Sequence, residues 1–393
     1  MPTLMGLLWG LGLAVGHVAF CIWAVNVSHA LGLGERLMNR ITVVVFAVLG
    51  LMTVGLAGLV VFVPFRDWPW FAQSYELVCL AIACFGVPLS LVLGLLPKVP
   101  EGQTKVASEE TLDLPATDPA GAEGFIGPAK RAWMLRMPGN ESLFLHKIVW
   151  DFSLPTLPAA ADGLTILHIS DTHFSPVYDR RWFERVAEET AHWGEFDLVL
   201  FTGDLLDHEV GLEWVEPVFS RFQARLGRFA ILGNHDVPHR PGRVRKALRS
   251  AGYTVIDGRW VTVELPGSDA KIAIGGTSAP WGPRLERKRR PDADFTIVLS
   301  HTPDQMPRKS SWGGVDLILA GHNHGGQIRL PWLGPILMPS RYSRRFDKGV
   351  FSAKGTIMHV SPGVGGKHPI RYGCPPEVAL LRLTRASTPA LTA

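Results

Sequence analysis

Three long apolar runs open this chain, and they constrain its architecture before any motif is considered. They are residues 4–30, 41–63 and 77–96. A helix rises about 1.5 Å per residue, so some 20 residues cross a hydrocarbon core of about 30 Å. Each run is apolar all round rather than along one stripe, which argues against three buried core helices of a soluble domain. No Lys or Arg precedes the first run, and the run is too long for a typical secretory signal. The expectation is a three-helix transmembrane region over residues 1–97. His17, Asn26 and His29 are the polar groups in or near the first span. With no transport pattern around them, a histidine there reads as a bond to a neighbouring helix.

The charged residues between the runs set the expected sidedness. The first connection carries Arg36 and Arg40, the second only Arg66 beside Asp67, and Lys98 and Lys105 follow the third run. Placing the N-terminus outside puts Arg36, Arg40, Lys98 and Lys105 on the cytoplasmic side. The expected location is therefore the inner (cytoplasmic) membrane with the following domain in the cytoplasm. Of the four cysteines, Cys21, Cys79, Cys84 and Cys374, three lie in the apolar region. That pattern suits a reducing compartment and suggests no disulfide framework.

Residues 98–131 are rich in Pro, Gly, Ala, Thr and acids without apolar periodicity, and read as a flexible linker. The remainder, 132–393, reads as one domain. Edge strands are expected at Trp133–Leu135 and Leu143–Phe152. From Leu164 onward short apolar strands alternate with helices. Strands are expected at Leu164–Ile169, Leu198–Phe201, Phe229–Leu232, Lys271–Ile274, Phe295–Leu299 and Leu317–Ala320, with a last core strand over Pro375–Leu383. Helices are expected over Arg181–His192, Leu212–Arg225 and Arg243–Ala251. The alternation indicates an α/β domain with buried sheets.

Five short motifs stand directly after these strands: Asp171-Thr172-His173, Gly203-Asp204-Leu205-Leu206-Asp207, Gly233-Asn234-His235-Asp236, Ser300-His301 and Gly321-His322-Asn323-His324. Each alone is weak, since a Gly-Asp pair is usually a turn and a lone His is usually structural. All five in order, at the strand ends where open α/β sheets place their sites, carry weight. Residues two apart point to one side, so Asp171 with His173 and His322 with His324 form two facing pairs. A carboxylate such as Asp204 has two oxygens and can bridge two ions. Imidazole with carboxylate suits Mn, Fe, Zn or Co better than Ca. No cysteine lies in the motifs, which disfavours a structural zinc site.

These motifs resemble the calcineurin-like metallophosphoesterase superfamily over about residues 164–383. The resemblance implies two packed mixed β-sheets flanked by helices, here preceded by the three-helix membrane region. It implies two divalent metal ions, manganese first, with iron, zinc or cobalt as alternatives. Asp171, His173, Asp204 and His324 would hold one ion, and Asp204, Asn234, His301 and His322 the other. His235 would be the catalytic histidine that is not a ligand, Asp236 would orient it, and Asp207 would support the site from behind. The implied reaction is hydrolysis of a phosphoric ester, with His235 protonating or stabilising the leaving oxygen. His168 reads as packed behind the first motif.

The run Gly321-His322-Asn323-His324-Gly325-Gly326-Gln327-Ile328-Arg329-Leu330-Pro331 and the run Arg371-Tyr372-Gly373-Cys374-Pro375-Pro376-Glu377 resemble one branch of that superfamily. The branch includes membrane-associated bacterial phosphodiesterases, among them enzymes acting on phospholipids and on UDP-2,3-diacylglucosamine. Arg371, Lys367 and His208 are candidate substrate contacts. The basic segment Arg284–Arg290 could rest on anionic headgroups. The expected partners are the bilayer and a lipid-linked phosphate. A net charge of +4 and no broad basic stripe exclude nucleic acid as the expected partner and with it a nuclease. An anchored phosphatase or phosphodiesterase for a soluble or protein substrate, and a non-catalytic membrane scaffold, remain as alternatives.

Overall fold

The computed structural model describes residues 4–29, 31–33, 35–95, 98–100, 102–331 and 333–386. The chain divides into two compact units. The first comprises residues 1–97 and 336–345, and the second comprises 98–335 and 346–393.

The first unit is built on three apolar helices long enough to cross a membrane: Met5–Ser28, Arg40–Phe62 and Trp70–Val92. In helical terms these are α1 (Leu4–His29), α2 (Glu35–Phe62), α3 (Trp70–Ala81) and, after a π-helical turn at Ile82–Gly86, α4 (Val87–Leu95). Ala30 and Leu96, the expected ends of the first and third runs, lie outside the described residues. The third helix begins earlier than its apolar run, so Glu76 lies inside it. Its buried carboxylate accepts from the Trp9 indole at 2.6 Å. His17 links all three helices, with Nδ1 2.8 Å from the Tyr75 hydroxyl and Nε2 2.7 Å from Thr53 Oγ1. In apolar surroundings such bonds hold helices together. Gly16 permits the close approach of α1 to α3, since a Cβ there would fall 1.8 Å from the Cys79 carbonyl oxygen.

The second unit contains two mixed sheets. One runs, edge to edge, β1 (Thr104–Asp113), β2 (Phe144–Leu154), β15 (Glu377–Arg385), β3 (Thr165–Ile169), β4 (Phe196–Phe201), β5 (Ala224–Ala230) and β6 (Thr254–Val255). The other runs β13 (Gly349–Ala353), β14 (Thr356–Val360), β10 (Leu317–Ala320), β9 (Phe295–Ser300), β8 (Lys271–Thr277) and β7 (Trp260–Glu264). The period of two along each strand sorts side chains into layers. Ile166, Leu198 and Leu200 join Ile274, Ile297, Leu299, Leu317 and Leu319 in a core between the sheets. Their neighbours Leu167, Val199 and Phe201 face the other way, into a core with the helices α6 (Arg180–Ala191), α7 (Leu212–Phe219) and α8 (Pro241–Ser250). The second sheet's outer face is covered by Leu285 and by Met306 of the short helix α9 (Met306–Ser310). Two further small elements are α5 (Leu114–Thr117) and the hairpin of β11 (Arg329–Leu330) with β12 (Gly334–Pro335).

Several expected elements differ. The segment expected as a linker, 98–131, holds strand β1, paired antiparallel along its length with β2, then α5 and a 3-10 turn at Gly121–Phe125. Residues Lys130–Arg136 form a 3-10 helix rather than an edge strand. The strand expected at Leu143–Phe152 is interior, flanked by β1 and β15. The helix expected over Leu212–Arg225 stops at Phe219, because Pro217 lies within it and Ala224 already belongs to β5.

Candidate metal centre

Strands β3, β4, β5 and β6 are mutually parallel, as are β8, β9, β10 and β14. Their carboxyl ends therefore point the same way within each sheet, and the five motifs occupy the loops that follow β3, β4, β5, β9 and β10. Backbone bonds lace these loops together. Asp171 N–H donates to Gly203 O at 2.9 Å, His173 N–H to Asp204 O at 3.1 Å and Gly321 N–H to His301 O at 3.1 Å.

Five of the seven expected ligands have left-handed backbones: Asp171 (φ 52°), His173 (φ 46°), Asp204 (φ 55°), His322 (φ 70°) and His324 (φ 47°). Non-glycine residues seldom adopt this conformation, and it costs on the order of 1 kcal/mol or more apiece. The loops hold it, and each turn carries a candidate ligand side chain toward the others. Gly321 is required for that closeness, because a Cβ there would fall 1.9 Å from Ser170 Oγ and 2.1 Å from Asp171 Oδ2.

The side chains converge as two overlapping clusters. His173 Nε2 and His324 Nε2 are 3.0 Å apart. Asp171 Oδ1 lies 3.5 Å from His324 Nε2. Asp204 Oδ2 lies between the clusters, 3.5 Å from His173 Nε2 and 3.3 Å from His301 Nε2. Asn234 Oδ1 is 2.9 Å from His301 Nε2. Three sets of ligand atoms each fall within 4.8 Å of one another: Asp171/His173/His324, His173/Asp204/His235 and Asp204/His301/His322.

The residues fit divalent metal. His322 Nε2 is buried with no hydrogen-bond partner among the described residues, an arrangement that is costly unless something else occupies the nitrogen. The donor set is nitrogen and oxygen only, the set that borderline divalent ions take. Outer partners fix the rings, as they do for metal-binding histidines generally. His301 Nδ1 bonds Thr202 O at 2.8 Å and His173 Nδ1 bonds Asp207 Oδ2 at 3.1 Å, leaving both Nε2 atoms for the centre.

Charge follows the same division. Burial holds His322 and His324 down at about 3, so both are neutral imidazoles. Burial acts against His301 too, but the Asp204 carboxylate outweighs it and brings that ring up to about 9. Burial would raise Asp204 and Asp207. The cationic rings around them prevail, His301 and His235 for Asp204 and His173 and His235 for Asp207, and both stay well below the usual carboxylate range.

His235 stands beside the ligands, its ring centroid 4.7 Å from that of His173. Asp236 does not orient it. Asp236 is fully buried, and its oxygens accept from the backbone N–H groups of Leu205 at 2.9 Å, Leu206 at 3.3 Å and Gly233 at 2.8 Å. It ties two loops together, and Asp207 Oδ1 takes the His235 ring instead, 2.6 Å from Nδ1. Asp207 therefore positions both His173 and His235.

The candidate substrate contacts fare unevenly. Arg371 is fully buried and donates to the carbonyls of Pro362 at 2.8 Å, Gly365 at 2.6 Å and Cys374 at 3.2 Å. It organises a loop and is not exposed to a substrate. His208 is exposed, with Nδ1 accepting from Val210 N–H at 3.2 Å, and Lys367 is half-buried. The basic segment is partly tied up internally, with Arg289 bonded to Glu286 and Arg290 to the carbonyls of Gly313 and Gly314.

Three features escaped the sequence reading. Trp281 packs its ring 4.7 Å from His322 and 5.7 Å from His301; its only signal was its place after strand β8. His368 is held below its ordinary range by burial and by the charges of Arg131 and Lys367, with Asp207 and His235 also acting on it; no motif marks it. Behind Asp171 runs a buried chain: Ser170 Oγ donates to Asp171 Oδ2. Thr202 Oγ1 donates to Ser170 Oγ at 2.6 Å and lies 3.0 Å from His168 Nε2. His168 Nδ1 is 2.8 Å from His359 Nδ1, across the two sheets. His168 was expected to pack there; His359 was not anticipated.

Residues 164–326 match the family model described as calcineurin-like phosphoesterase. The metallophosphoesterase YkuE of Bacillus subtilis is 32% identical over 235 residues, spanning 58% of this chain and 81% of that protein. The phosphodiesterase YaeI of Escherichia coli is 30% identical over 195 residues, spanning 48% and 70%. The UDP-2,3-diacylglucosamine pyrophosphatase LpxG of Chlamydia muridarum is 24% identical over 288 residues, spanning 59% and 87%.

Proposed function

Since this chain belongs to the calcineurin-like metallophosphoesterase family, we propose that it is a membrane-anchored, dinuclear-metal phosphodiesterase or pyrophosphatase acting on a lipid-linked phosphate at the cytoplasmic leaflet. The observation that carries the reading is the convergence, from five strand-end loops, of the seven side chains expected as ligands, among them His322, whose buried Nε2 has no hydrogen-bond partner among the described residues. Asp171, His173, Asp204 and His324 would hold one divalent ion, and Asp204, Asn234, His301 and His322 the other, with manganese the first choice. Bound divalent ions of this kind activate water and neutralise phosphoryl oxygens.

The protein's own groups do the rest. Asp204 turns one oxygen, Oδ2, toward both clusters, while its Oδ1 accepts from the His235 backbone N–H at 2.8 Å. Asp207 holds the His235 ring by Nδ1, which leaves Nε2 as the atom that gives a proton to the leaving oxygen. Trp281 beside His322 walls the centre on one side. Arg371 keeps the 362–365 loop in place.

The lipid substrate rests on two supports. Three apolar helices precede the domain, and an anchor raises the local concentration of a membrane-borne substrate. The Chlamydia relative carries the name of an enzyme for UDP-2,3-diacylglucosamine, a lipid-linked diphosphate.

Purified full-length protein with Mn²⁺ should cleave bis(p-nitrophenyl) phosphate and at least one of UDP-2,3-diacylglucosamine or a phospholipid, with the products identified by mass spectrometry. Asp204→Ala and His322→Ala should each fall to background. Undiminished turnover in either variant sinks the assigned centre, and cleavage of soluble diesters alone sinks the lipid substrate.

A further inference from the structure

The ten residues Ile336–Arg345 interrupt the second unit in sequence yet belong to the compact unit of apolar helices. Their anchor is buried and specific. The Met338 backbone N–H donates to Asn26 Oδ1 at 2.8 Å across 312 positions of sequence. Met338 is 0% exposed and Asn26 3%.

Asn26 fixes the level of this contact. It lies two residues before the end of the span Met5–Ser28, so the excursion meets the helices near the C-terminal end of α1, where a bilayer's hydrocarbon gives way to headgroups. Arg40, exposed, opens the second span at the same end. A chain that crosses three times leaves its third span on that side too. The excursion therefore joins the helices on the side from which the chain continues to Lys98.

What it presents there has an interfacial character. Leu337 is 46% and Tyr342 38% exposed, and Arg341 and Arg345 are exposed around the buried Met338. Aromatic and apolar side chains with arginines are what the headgroup level favours. A guanidinium fork matches a phosphate oxygen pair.

We infer that Ile336–Arg345 is an interfacial docking element, with Leu337 and Tyr342 inserted among lipids and Arg341 and Arg345 binding the phosphates of anionic headgroups. The inference rests on the membrane-anchored reading above and adds to it. The helical unit then meets the headgroups through this segment as well as through its spans.

The test uses the full chain in lipid nanodiscs. With Leu337 replaced by photoreactive p-benzoylphenylalanine, illumination should yield a phospholipid adduct at position 337. In discs mixing phosphatidylglycerol with phosphatidylcholine, the wild type should retain phosphatidylglycerol preferentially in native mass spectrometry. The Arg341→Gln/Arg345→Gln double variant should lose that preference by roughly tenfold or more, at about 1 kcal/mol per arginine, while its turnover of bis(p-nitrophenyl) phosphate stays unchanged. No lipid adduct at 337, or an undiminished preference in the double variant, overturns the docking element. A chain that fails to enter the discs overturns the anchoring as well. Failure to cleave any lipid substrate leaves the adduct in place and counts only against the substrate proposed above.

Discussion

Asp207 and Asp236 bracket His235 in sequence and space, but they do different work. Asp207 touches two imidazole rings, His173 and His235. Asp236 accepts from the backbone N–H groups of Leu205, Leu206 and Gly233. Removing the negative charge of Asp207 should therefore release His235 and loosen His173. In Asp207→Asn, kcat on a diester should fall about 10- to 100-fold, the usual effect of losing a partner behind a metal ligand, with the thermal midpoint little changed. Asp236→Asn should do the reverse, lowering the midpoint more than kcat per folded molecule. Steady-state kinetics and thermal melts on both variants check this, and equal kcat losses with equal midpoints would contradict the division. Which residues meet at the strand ends is legible in the sequence, because residue type and strand-end position carry it. The partner of His235 is not. It depends on left-handed turns at Asp171, His173, Asp204, His322 and His324, which no pattern of residue types encodes.

At the scale of elements, legibility followed burial. The strands that face two cores, such as β4 and β9, carry the consecutive apolar residues Leu198–Phe201 and Ile297–Leu299 and are legible. Strand β1 is exposed along nearly all its length, so it has no alternation to read; only its backbone pairing with β2 makes it a strand. The β13–β14 hairpin turns at Lys354 (φ 51°) and Gly355 (φ 78°). That is the two-residue turn usually marked by Asn-Gly or Asp-Gly, and lysine in the first place conceals it. Helix α9 hides a different surprise. Lys309 is 2% exposed, its ammonium 3.7 Å from the centre of the Trp312 ring and 3.4 Å from Leu285 O. Burial, reinforced by Arg308, brings its pKa down to about 7. An unfolded lysine titrates near about 10.4, so between about 7 and about 10.4 the unfolded chain binds the extra proton. Stability from this group therefore rises with pH across that window and is flat below it. The full chain in detergent should melt higher at pH 9.5 than at pH 7, and Lys309→Met should flatten that rise while melting higher than wild type at pH 7. An identical pH slope in the variant would place the titration elsewhere.

For the molecule as a whole, the two units are stabilised differently. The helices rely on apolar surface and on a few polar bonds such as those of His17. The second unit folds around cores on both faces of its sheets, but concentrates unfavourable features at one end. Buried carboxylates, strained ligand backbones and the orphaned His322 Nε2 all meet at the strand ends. Cations in the centre would pair with the carboxylates and occupy that nitrogen, so metal should contribute to folding as well as to chemistry. A ligand present at about 100 times its dissociation constant adds about 2.7 kcal/mol. For a unit of this size about 1 kcal/mol moves the midpoint by about 2–4 °C, so the effect should reach about 5–10 °C. Full-length protein stripped with a chelator should melt lower by that amount, and Mn²⁺ should restore it. Asp204→Asn should abolish the shift, because this carboxylate is placed between both clusters, whereas Asp207→Asn should only weaken it. A midpoint that ignores both stripping and reloading would mean that the strain at the strand ends is borne by the loops alone and that no ion completes the centre.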